Sequence, residues 1–300
     1  MSEPRTLLTG LVLGESPRWH DGRLWLCDWG AQELIAVGPD GAGPEVVLRV
    51  PAFPFCIDWL PDGRLLIVDG SGRRLLRRDG DGPPVTHADL GPLSDRPWNE
   101  VVADGRGNAY VNGVGFDLMA GEAPAPGLLA LVTPDGAVRR VAGDLAFPNG
   151  MAVTPDGSTL IVAESYAGRL TAFRIEPDGS LADRRVWAAV EGSAPDGICL
   201  DAEGALWYAD VPNRACVRVR EGGEVLARVE SELGCFSCAV GGEDGRTLYV
   251  TAAEWPGAVD GTRSGRLLAV PAPAPRAPAP RAPAPRAPAP RAQGPAGAPG

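Results

Sequence analysis

The 300-residue chain contains no lysine and only two histidines, and it lacks the Gly-x-Ser-x-Gly motif of serine hydrolases. Without lysine, Schiff-base chemistry is excluded. Two histidines cannot build a three-histidine zinc site. Cys235 and Cys238 have the spacing of a redox or zinc pair, but no second pair accompanies them, which favours ordinary packing of small side chains.

The chain also lacks any run of apolar residues long enough to cross a membrane, and its first residues lack the charged start and apolar stretch of a secretory signal. We therefore expect a cytoplasmic protein whose six cysteines stay reduced. Basic residues are too few to balance the acidic ones, and the formal net charge at pH 7 is -10. This charge argues against nucleic acid and anionic membranes as partners.

A short unit recurs six times along the chain at intervals of about 40–50 residues. Each copy has an acidic residue and a glycine in a tight turn, followed by an apolar strand, as in Asp62-Gly63-Arg64-Leu65-Leu66-Ile67. In the third unit, Asp104-Gly105-Arg106-Gly107-Asn108-Ala109-Tyr110-Val111, we take Gly105 as the turn glycine. Because glycine accepts the positive φ of such turns, each unit predicts a β-hairpin. A third strand and a weaker fourth follow most units. The pattern predicts an all-β, six-bladed β-propeller with four-stranded antiparallel blades, and it disfavours the alternative of a β-sandwich.

The last predicted blade lacks a fourth strand after Val270. The N-terminal segment Arg5-Thr6-Leu7-Leu8 can supply that strand, which would close the ring and cover sheet edges that otherwise invite aggregation. The propeller domain is therefore expected to span residues 1–270. Residues 271–300 repeat Arg-Ala-Pro-Ala-Pro and lack bulky apolar side chains, so we expect a disordered or extended low-complexity tail that the domain can lose without harm.

Four polar residues stand ahead of the predicted innermost strands of different blades, and they are Glu15, Asn99, Asn149 and Asp196. In a propeller, the turns before these strands converge on one mouth of the central channel. Two carboxylates and two amides at one mouth would repel each other or lie unpaired without a cation. Ligation by oxygen alone suits Ca²⁺, Mg²⁺ or Mn²⁺, with Zn²⁺ tolerated. The alternative is that each residue only caps a turn, as Asn and Asp often do.

Three segments resemble motifs of the SMP-30/gluconolactonase family, also called the regucalcin family. They are Gly-Glu-Ser-Pro-Arg-Trp at 14–19, Phe-Pro-Asn-Gly-Met-Ala at 147–152, and Pro-Asp-Gly-Ile-Cys-Leu-Asp-Ala-Glu-Gly-Ala-Leu-Trp at 195–207. The resemblance covers residues 11–270 and implies a six-bladed propeller with one catalytic divalent metal that hydrolyses sugar lactones. By resemblance, Glu15, Asn149 and Asp196 match the metal ligands, and Asn99 matches a substrate or metal contact.

One motif departs from the family pattern, which is typically Arg-x-Asn-Asp. Here the segment reads Arg96-Pro97-Trp98-Asn99-Glu100, so the arginine is one position further from the asparagine and a glutamate replaces the aspartate. Because this loop holds the sugar hydroxyls in the family, we expect Asn99, Arg96 and Glu100 to bind substrate. The stretch 115–122 is expected to overhang the mouth as a lid. Candidates for the walls of the mouth are Trp19, Trp29, Trp59 and Trp98, and packing within the blades is the favoured alternative for all of them except Trp98.

The resulting hypothesis is a metal-dependent lactonase that acts on a small sugar lactone. One divalent ion, expected to be Ca²⁺ with Zn²⁺, Mg²⁺ or Mn²⁺ as alternatives, would polarise the lactone carbonyl and activate water, with Asp196 as general base. One alternative is an arylesterase- or phosphotriesterase-like hydrolase on the same metal site. The other is a non-catalytic propeller that binds protein. We expect a monomer or a weak dimer.

Overall fold

The computed structural model describes residues 3–255 and 261–282, and it contains six four-stranded antiparallel sheets. The strands of the first three blades are β2 (Gly14–His20), β3 (Arg23–Asp28), β4 (Glu33–Val37), β5 (Glu45–Arg49), β6 (Phe55–Trp59), β7 (Leu65–Asp69), β8 (Arg74–Arg78), β9 (Val85–Asp89), β10 (Trp98–Ala103), β11 (Ala109–Gly113), β12 (Gly127–Val132) and β13 (Val138–Leu145). Those of the last three blades are β14 (Pro148–Val153), β15 (Thr159–Glu164), β16 (Arg169–Ile175), β17 (Leu181–Ala189), β18 (Pro195–Leu200), β19 (Leu206–Asp210), β20 (Ala215–Val219), β21 (Val225–Glu230), β22 (Gly234–Gly241), β23 (Thr247–Ala253), β24 (Gly265–Pro271) and the first strand of the chain, β1 (Arg5–Leu11). The predicted six-bladed propeller is confirmed.

The sixth blade is assembled from both ends of the domain. Its strand order is β1-β24-β23-β22, and β1 pairs antiparallel with β24 from Arg5 opposite Ala269 to Leu11 opposite Gly265. The N-terminal strand therefore closes the ring, as the sequence predicts. Within the described parts of the chain, helix is limited to two short 3₁₀ turns, so no helix there is long and apolar enough to span a bilayer.

The recurring acidic-glycine units form the turns between the first and second strands of the blades. In the second blade, Gly63 has a φ of 83°, and Asp62 Oδ1 accepts a hydrogen bond from the Arg64 backbone N–H at 3.2 Å. In the third blade, Asp104 Oδ1 accepts from the Arg106 N–H at 2.8 Å, but the positive φ of 83° falls at Gly107 rather than at the predicted Gly105. The carboxylate acts as a local acceptor that holds the turn.

The core lies between blades rather than inside one blade. Both faces of each sheet are apolar, and the buried side chains form clusters that are each shared by two neighbouring blades. Trp98 and Val101 of the third blade, for example, pack with Leu66 and Leu75 of the second. Each innermost strand is therefore held from both sides, which fixes the backbone around the central channel.

The first part of the predicted tail packs on the domain. We call residues 272–282 the strap, because they cross the mouth of the channel at the ends of the innermost strands. Pro275 O accepts a hydrogen bond from Ala202 N at 2.8 Å, and Arg281 N donates to Pro155 O at 3.0 Å. These contacts link the fourth, fifth and sixth blades and differ from the disordered tail expected from composition. Residues 283–300, which complete the predicted tail, lie outside the described residues.

Two alanines of the strap provide a matched test of this packing. Ala274 is 1% exposed, whereas Ala279, in the same Ala-Pro repeat, is exposed. We expect Ala274→Glu to lower the melting temperature by several degrees, because it forces a carboxylate into a close-packed site and each kcal/mol lost shifts Tm by about 2–4 °C in a domain of this size. Ala279→Glu should melt with the wild-type protein. Equal melting temperatures for both variants in calorimetry would mean that the strap adds no stability.

Candidate active site

The starts of the innermost strands surround a cavity of about 230 Å³ at the mouth opposite the strap. Glu15, Asn99, Asn149 and Asp196 all line this cavity. The carboxylates of Glu15 and Asp196 belong to buried residues, and Asn99 is buried as well. The structure therefore brings together the four oxygen-bearing side chains that the sequence analysis selects from four different blades.

A β-bulge begins at Glu15 and includes Asn99, Asn149 and Asp196 in their own blades. The register between the first and second strands shifts between Glu15 and Arg18 in the first blade, and the equivalent shift occurs in the blades of Asn99, Asn149 and Asp196. A bulge bends the strand and redirects its side chains, which explains why these residues face the cavity. Asp196 thus lies in the first residues of β18 and not in a turn ahead of the strand.

The glycines after Asn149 and Asp196 allow neighbouring inner strands to approach closely. A Cβ on Gly150 would lie 2.6 Å from the backbone oxygen of Asp196, and one on Gly197 would lie 1.9 Å from Ser237 Oγ. Any larger residue at these positions would push the blades apart. The Asn-Gly and Asp-Gly pairs of the sequence are therefore needed for spacing between blades as well as for ligand geometry.

Three further carboxylates hold the backbone just ahead of the cavity residues, and the sequence analysis does not assign them a role. Each is the last residue of a second strand. Asp28 accepts hydrogen bonds from Val12 N at 3.0 Å and Leu13 N at 3.1 Å, close to Glu15. Glu164 accepts from Ala146 N at 2.8 Å, and Asp210 accepts from Ala194 N at 3.3 Å. The detectable signal is an acidic residue at the end of the second strand in several repeats.

Asn112 and Ser165 join neighbouring cavity residues to each other. Asn112 Nδ2 donates to the backbone oxygen of Asn149 at 2.6 Å, while its Oδ1 accepts from Glu100 N at 3.2 Å. Asn149 Nδ2 donates to Ser165 Oγ at 3.4 Å, and that hydroxyl donates to Pro195 O at 2.7 Å. A continuous network therefore fixes Asn149 between the third and fifth blades. Neither residue belongs to a recognised motif, so sequence alone gave no signal for them.

Burial and mutual repulsion make the two carboxylates of the cavity unfavourable as anions. Burial, followed by the Asp196 and Glu100 charges, raises the pKa of Glu15 well above its usual range. Burial, followed by the Glu100 charge, does the same to the pKa of Asp196. Among the described residues, Asp196 Oδ1 is a buried oxygen with no hydrogen-bond partner. This arrangement is typical of a site that a cation completes.

The donor set fits a hard divalent cation. Two carboxylates and two amide groups supply oxygens alone, and Asn99 Nδ2 contacts Asn149 Oδ1 at a long 3.5 Å. The cavity-lining residues include neither cysteine nor histidine, so thiolate and imidazole ligands are absent from the described lining. Across residues 3–255 and 261–282, no group of three or more His, Cys, Asp or Glu side chains could hold an ion. Any ion here would therefore depend on the two amides as well as on the two carboxylates.

The other two predicted substrate residues lie elsewhere. Glu100 is buried deeper in the channel, where its Oε1 accepts hydrogen bonds from Arg18 Nη2 at 3.3 Å and Val101 N at 3.1 Å. Burial raises the pKa of Glu100, and the Arg18 charge lowers it in part. Arg96 donates from Nε to Glu122 Oε2 at 2.7 Å and pairs with Asp95. Neither Glu100 nor Arg96 is among the described residues that line the cavity.

The predicted lid contributes to the cavity wall. The lid, residues 115–122, joins β11 to β12, and its Phe116, Leu118 and Met119 line the cavity. Of the four tryptophans proposed as walls, Trp29 and Trp98 line this cavity. Trp19 and Trp59 lie instead at the strap end of the channel.

Cys235 and Cys238 do not form the redox or zinc pair that their spacing suggests. All six are free thiols. Cys238 Sγ lies 3.7 Å from Cys199 Sγ on the neighbouring blade, and Cys235 Sγ lies 3.9 Å from Leu233 O. The packing interpretation favoured for the two cysteines agrees with these contacts.

Known proteins share both the sequence pattern and the architecture of this chain. Residues 13–254 match the SMP-30/Gluconolactonase/LRE-like region. The pentonolactonase XacC of Haloferax volcanii is 27% identical over 261 residues, covering 84% of this chain and 86% of that protein. The 6-deoxy-6-sulfogluconolactonase of Pseudomonas putida is 27% identical over 271 residues, covering 84% and 91%. The crystal structure of regucalcin, a calcium-binding protein from Agrobacterium tumefaciens, superposes with a TM-score of 0.77 at 24% identity and covers 93% of this chain and 96% of that one, which shows the shared fold.

Proposed function

The chain belongs to the SMP-30/gluconolactonase/LRE-like family, which includes lactonases, and on this premise we propose that it is a divalent-metal-dependent hydrolase that opens a lactone ring. The observation that carries the proposal is the unpartnered, buried Oδ1 of Asp196, which lines one cavity with Glu15, Asn99 and Asn149. A divalent ion bound in this cavity would satisfy that oxygen.

The roles of the four residues follow from their chemistry. Glu15, Asn149 and Asp196 would hold the ion through their oxygens, and Asn99 would orient the lactone by hydrogen bonding. When bound, a divalent cation, for which the all-oxygen set favours Ca²⁺, supplies a Lewis acid that polarises the lactone carbonyl and lowers the pKa of the attacking water.

Asp196 would move the proton. The Asp196 carboxylate takes a proton from the attacking water as the water oxygen adds to the carbonyl carbon. The bond between that carbon and the ring oxygen then breaks, and the departing ring oxygen receives the proton held by Asp196, which leaves a hydroxy acid and the ionised carboxylate. Among the described residues, no histidine lines the cavity to compete for this role, because His20 stacks on Trp59 at the strap end.

The proposal is tested by removing the ion and adding it back, with both stability and turnover measured. The purified protein is stripped with a chelator, and Ca²⁺, Mg²⁺, Mn²⁺ and Zn²⁺ are added back separately, with lactone opening measured by a pH indicator. We expect stripping to abolish turnover and at least one ion to restore it. At a hundredfold excess over Kd, that ion should also stabilise the fold by about 2.7 kcal/mol. Full turnover by the stripped protein would contradict the proposal.

The pH dependence of this stabilisation has a defined sign. Because the pKa values of Glu15 and Asp196 are raised in the fold, their stabilising contribution in the ion-free protein is present at low pH and is lost as pH rises through the raised values. The ion favours the deprotonated forms. The gain in Tm on adding Ca²⁺ should therefore be larger at pH 8 than at pH 5. The double variant Glu15→Gln/Asp196→Asn should lose this gain. A gain that is equal at both pH values would contradict this ligand set.

A further inference from the structure

The cavity wall beyond the four oxygen-bearing residues is aromatic and apolar. Trp29 and Phe53 meet edge to face with ring centroids 5.4 Å apart, and Phe116 and Phe147 do so at 5.6 Å. Phe236 and Trp255 stack at 5.9 Å. All six rings line the cavity. They come from several blades and loops, so the wall encloses the substrate position with surface that offers few hydrogen bonds.

Polar side chains are scarce in this wall. Besides the four oxygen-bearing residues, the lining side chains with polar groups, within the described part of the chain, are Ser71, Asp117 and the indoles of Trp29, Trp98 and Trp255. The Trp29 indole already donates to the backbone oxygen of Phe55. Asp117 Oδ1 already accepts a hydrogen bond from Ala120 N at 3.0 Å. A lactone that carries several hydroxyls would bury most of them against carbon. Each buried hydroxyl without a partner weakens binding by about 5–150-fold.

Arg96, the arginine expected to hold sugar hydroxyls, is hydrogen-bonded to the lid instead. Glu122 Oε2 accepts from Arg96 Nε at 2.7 Å and from Asp117 N at 2.8 Å, so one carboxylate ties the guanidinium to the lid backbone. The lid presents Leu118 and Met119 to the cavity, and these side chains are also 37% and 46% exposed. Apolar side chains kept at an open mouth favour a ligand that covers them with apolar surface.

We propose that the substrate is a small lactone with an apolar substituent, alkyl or aryl, on its ring, and not a polyhydroxylated sugar lactone. This inference rests on the proposed lactone hydrolysis and concerns the same site. The substituent packs against the six rings and the lid, while the carbonyl faces Asn99 and Asp196. At about 230 Å³, the cavity is smaller than the 300–1,000 Å³ common for drug-sized ligands, which limits the substituent to a short chain or a single ring.

The first experiment compares two δ-lactones with the calcium-loaded protein. δ-Nonalactone has the same six-membered lactone ring as glucono-δ-lactone, but it carries a butyl chain in place of the hydroxymethyl group and hydrogens in place of the three ring hydroxyls. We expect kcat/KM for δ-nonalactone to exceed that for glucono-δ-lactone by about 100-fold, because the lost hydrogen bonds of several hydroxyls combine. Equal or better turnover of glucono-δ-lactone overturns the apolar assignment and leaves lactone hydrolysis standing.

The second experiment measures binding without turnover. The two matching δ-lactams, which hold an amide in place of the ester, are titrated into the same protein by calorimetry. Tighter binding of the butyl lactam supports the assignment, and tighter binding of the hydroxylated lactam overturns it, whatever the activity. If neither lactone is opened, the proposed hydrolysis fails, and the lactam pair still decides which substituent the cavity accepts.

A substitution in the lid tests whether the preference for δ-nonalactone comes from the lid. Met119→Gln keeps the length of an exposed side chain but adds an amide, so it should reduce the preference for δ-nonalactone by about tenfold through lost apolar contact. Val186→Gln is the control, because Val186 is 54% exposed on the outer strand β17, away from the cavity. An unchanged preference in Met119→Gln, or the same change in Val186→Gln, overturns the assignment of the lid as the apolar contact.

Discussion

Asp196→Asn is expected to lower lactone turnover by about 10²–10⁴-fold, even at saturating divalent ion. The substitution keeps the size of the side chain and one oxygen, but it removes the negative charge and the proton acceptor. Added ion can recover the part of the loss that comes from weak ion binding, but not the part that comes from the missing base. The measurement is kcat of the variant across a Ca²⁺ titration, beside the wild-type protein.

Asn149→Ala is the matched control, because it removes a neutral oxygen and no base. Excess ion should therefore restore much of its turnover. If high ion also returned Asp196→Asn to near wild-type turnover, Asp196 would be an ion ligand alone. The base would then have to be sought beyond the residues that line the cavity, and the next carboxylate is Glu100, which lies deeper in the channel and whose charge raises the pKa of Asp196.

The melting temperature separates a catalytic loss from a damaged fold. Burial and the Glu100 charge raise the pKa of Asp196, so the ionised carboxylate is unfavourable in the ion-free protein. Neutral asparagine removes that charge. Ion-free Asp196→Asn should therefore melt no lower than the ion-free wild-type protein at pH 8. A clear drop would attribute the lost turnover to structure.

The fold was predictable because its turns repeat. An acidic residue and a glycine at each hairpin are local signals, and their spacing set the number of blades without any knowledge of tertiary contacts. The same reasoning placed β1 beside β24, since the sixth blade lacked a strand. The error at Gly105 shows the limit of the method, because Asp104-Gly105-Arg106-Gly107 offers two glycines and only the backbone shows which one takes the positive φ.

The cavity residues were predictable for a related reason. Glu15, Asn99, Asn149 and Asp196 hold equivalent positions in their blades, and a propeller brings equivalent positions to one mouth. Arg96 could not be placed in this way, since its direction depends on Glu122, a partner in an irregular loop. Glu100 follows Asn99 directly within the bulge, and it faces the channel, where it meets Arg18.

Amino-acid composition did not predict the packing of the strap, because composition describes only the side chains. Alanine and proline bury little area, which predicted a tail free of the domain. The strap is held instead by backbone groups, such as Arg276 N donating to Gly245 O and Pro275 O accepting from Ala202 N, both at 2.8 Å. Small side chains allow the close approach that these bonds require. The hydrophobicity of a sequence does not reveal backbone hydrogen bonds of this kind.

Deletion of residues 1–10 is expected to affect stability more than any other change considered. It removes β1, so β24 becomes a sheet edge with unpaired backbone groups. Leu7 and Leu8 also leave the cluster between the sixth and first blades. The lost hydrogen bonds and apolar contacts together cost about 5 kcal/mol or more, which is comparable to the whole net stability of many domains. We expect a steep fall in Tm and association of the exposed edges in light scattering.

Two point variants separate loss of strand packing from loss of sequence at the N-terminus. Leu8 is half-buried against the shared cluster, whereas its neighbour Thr9 is exposed on the same strand. Leu8→Asp should therefore reproduce part of the fall in Tm, because it places a charge against apolar side chains. Thr9→Asp should not, since its carboxylate remains in water beside Arg266 of β24. If the deleted protein stayed monomeric and melted with the wild-type protein, the ring would not depend on β1, and closure would have to come from the packing of β22, β23 and β24 against the first blade.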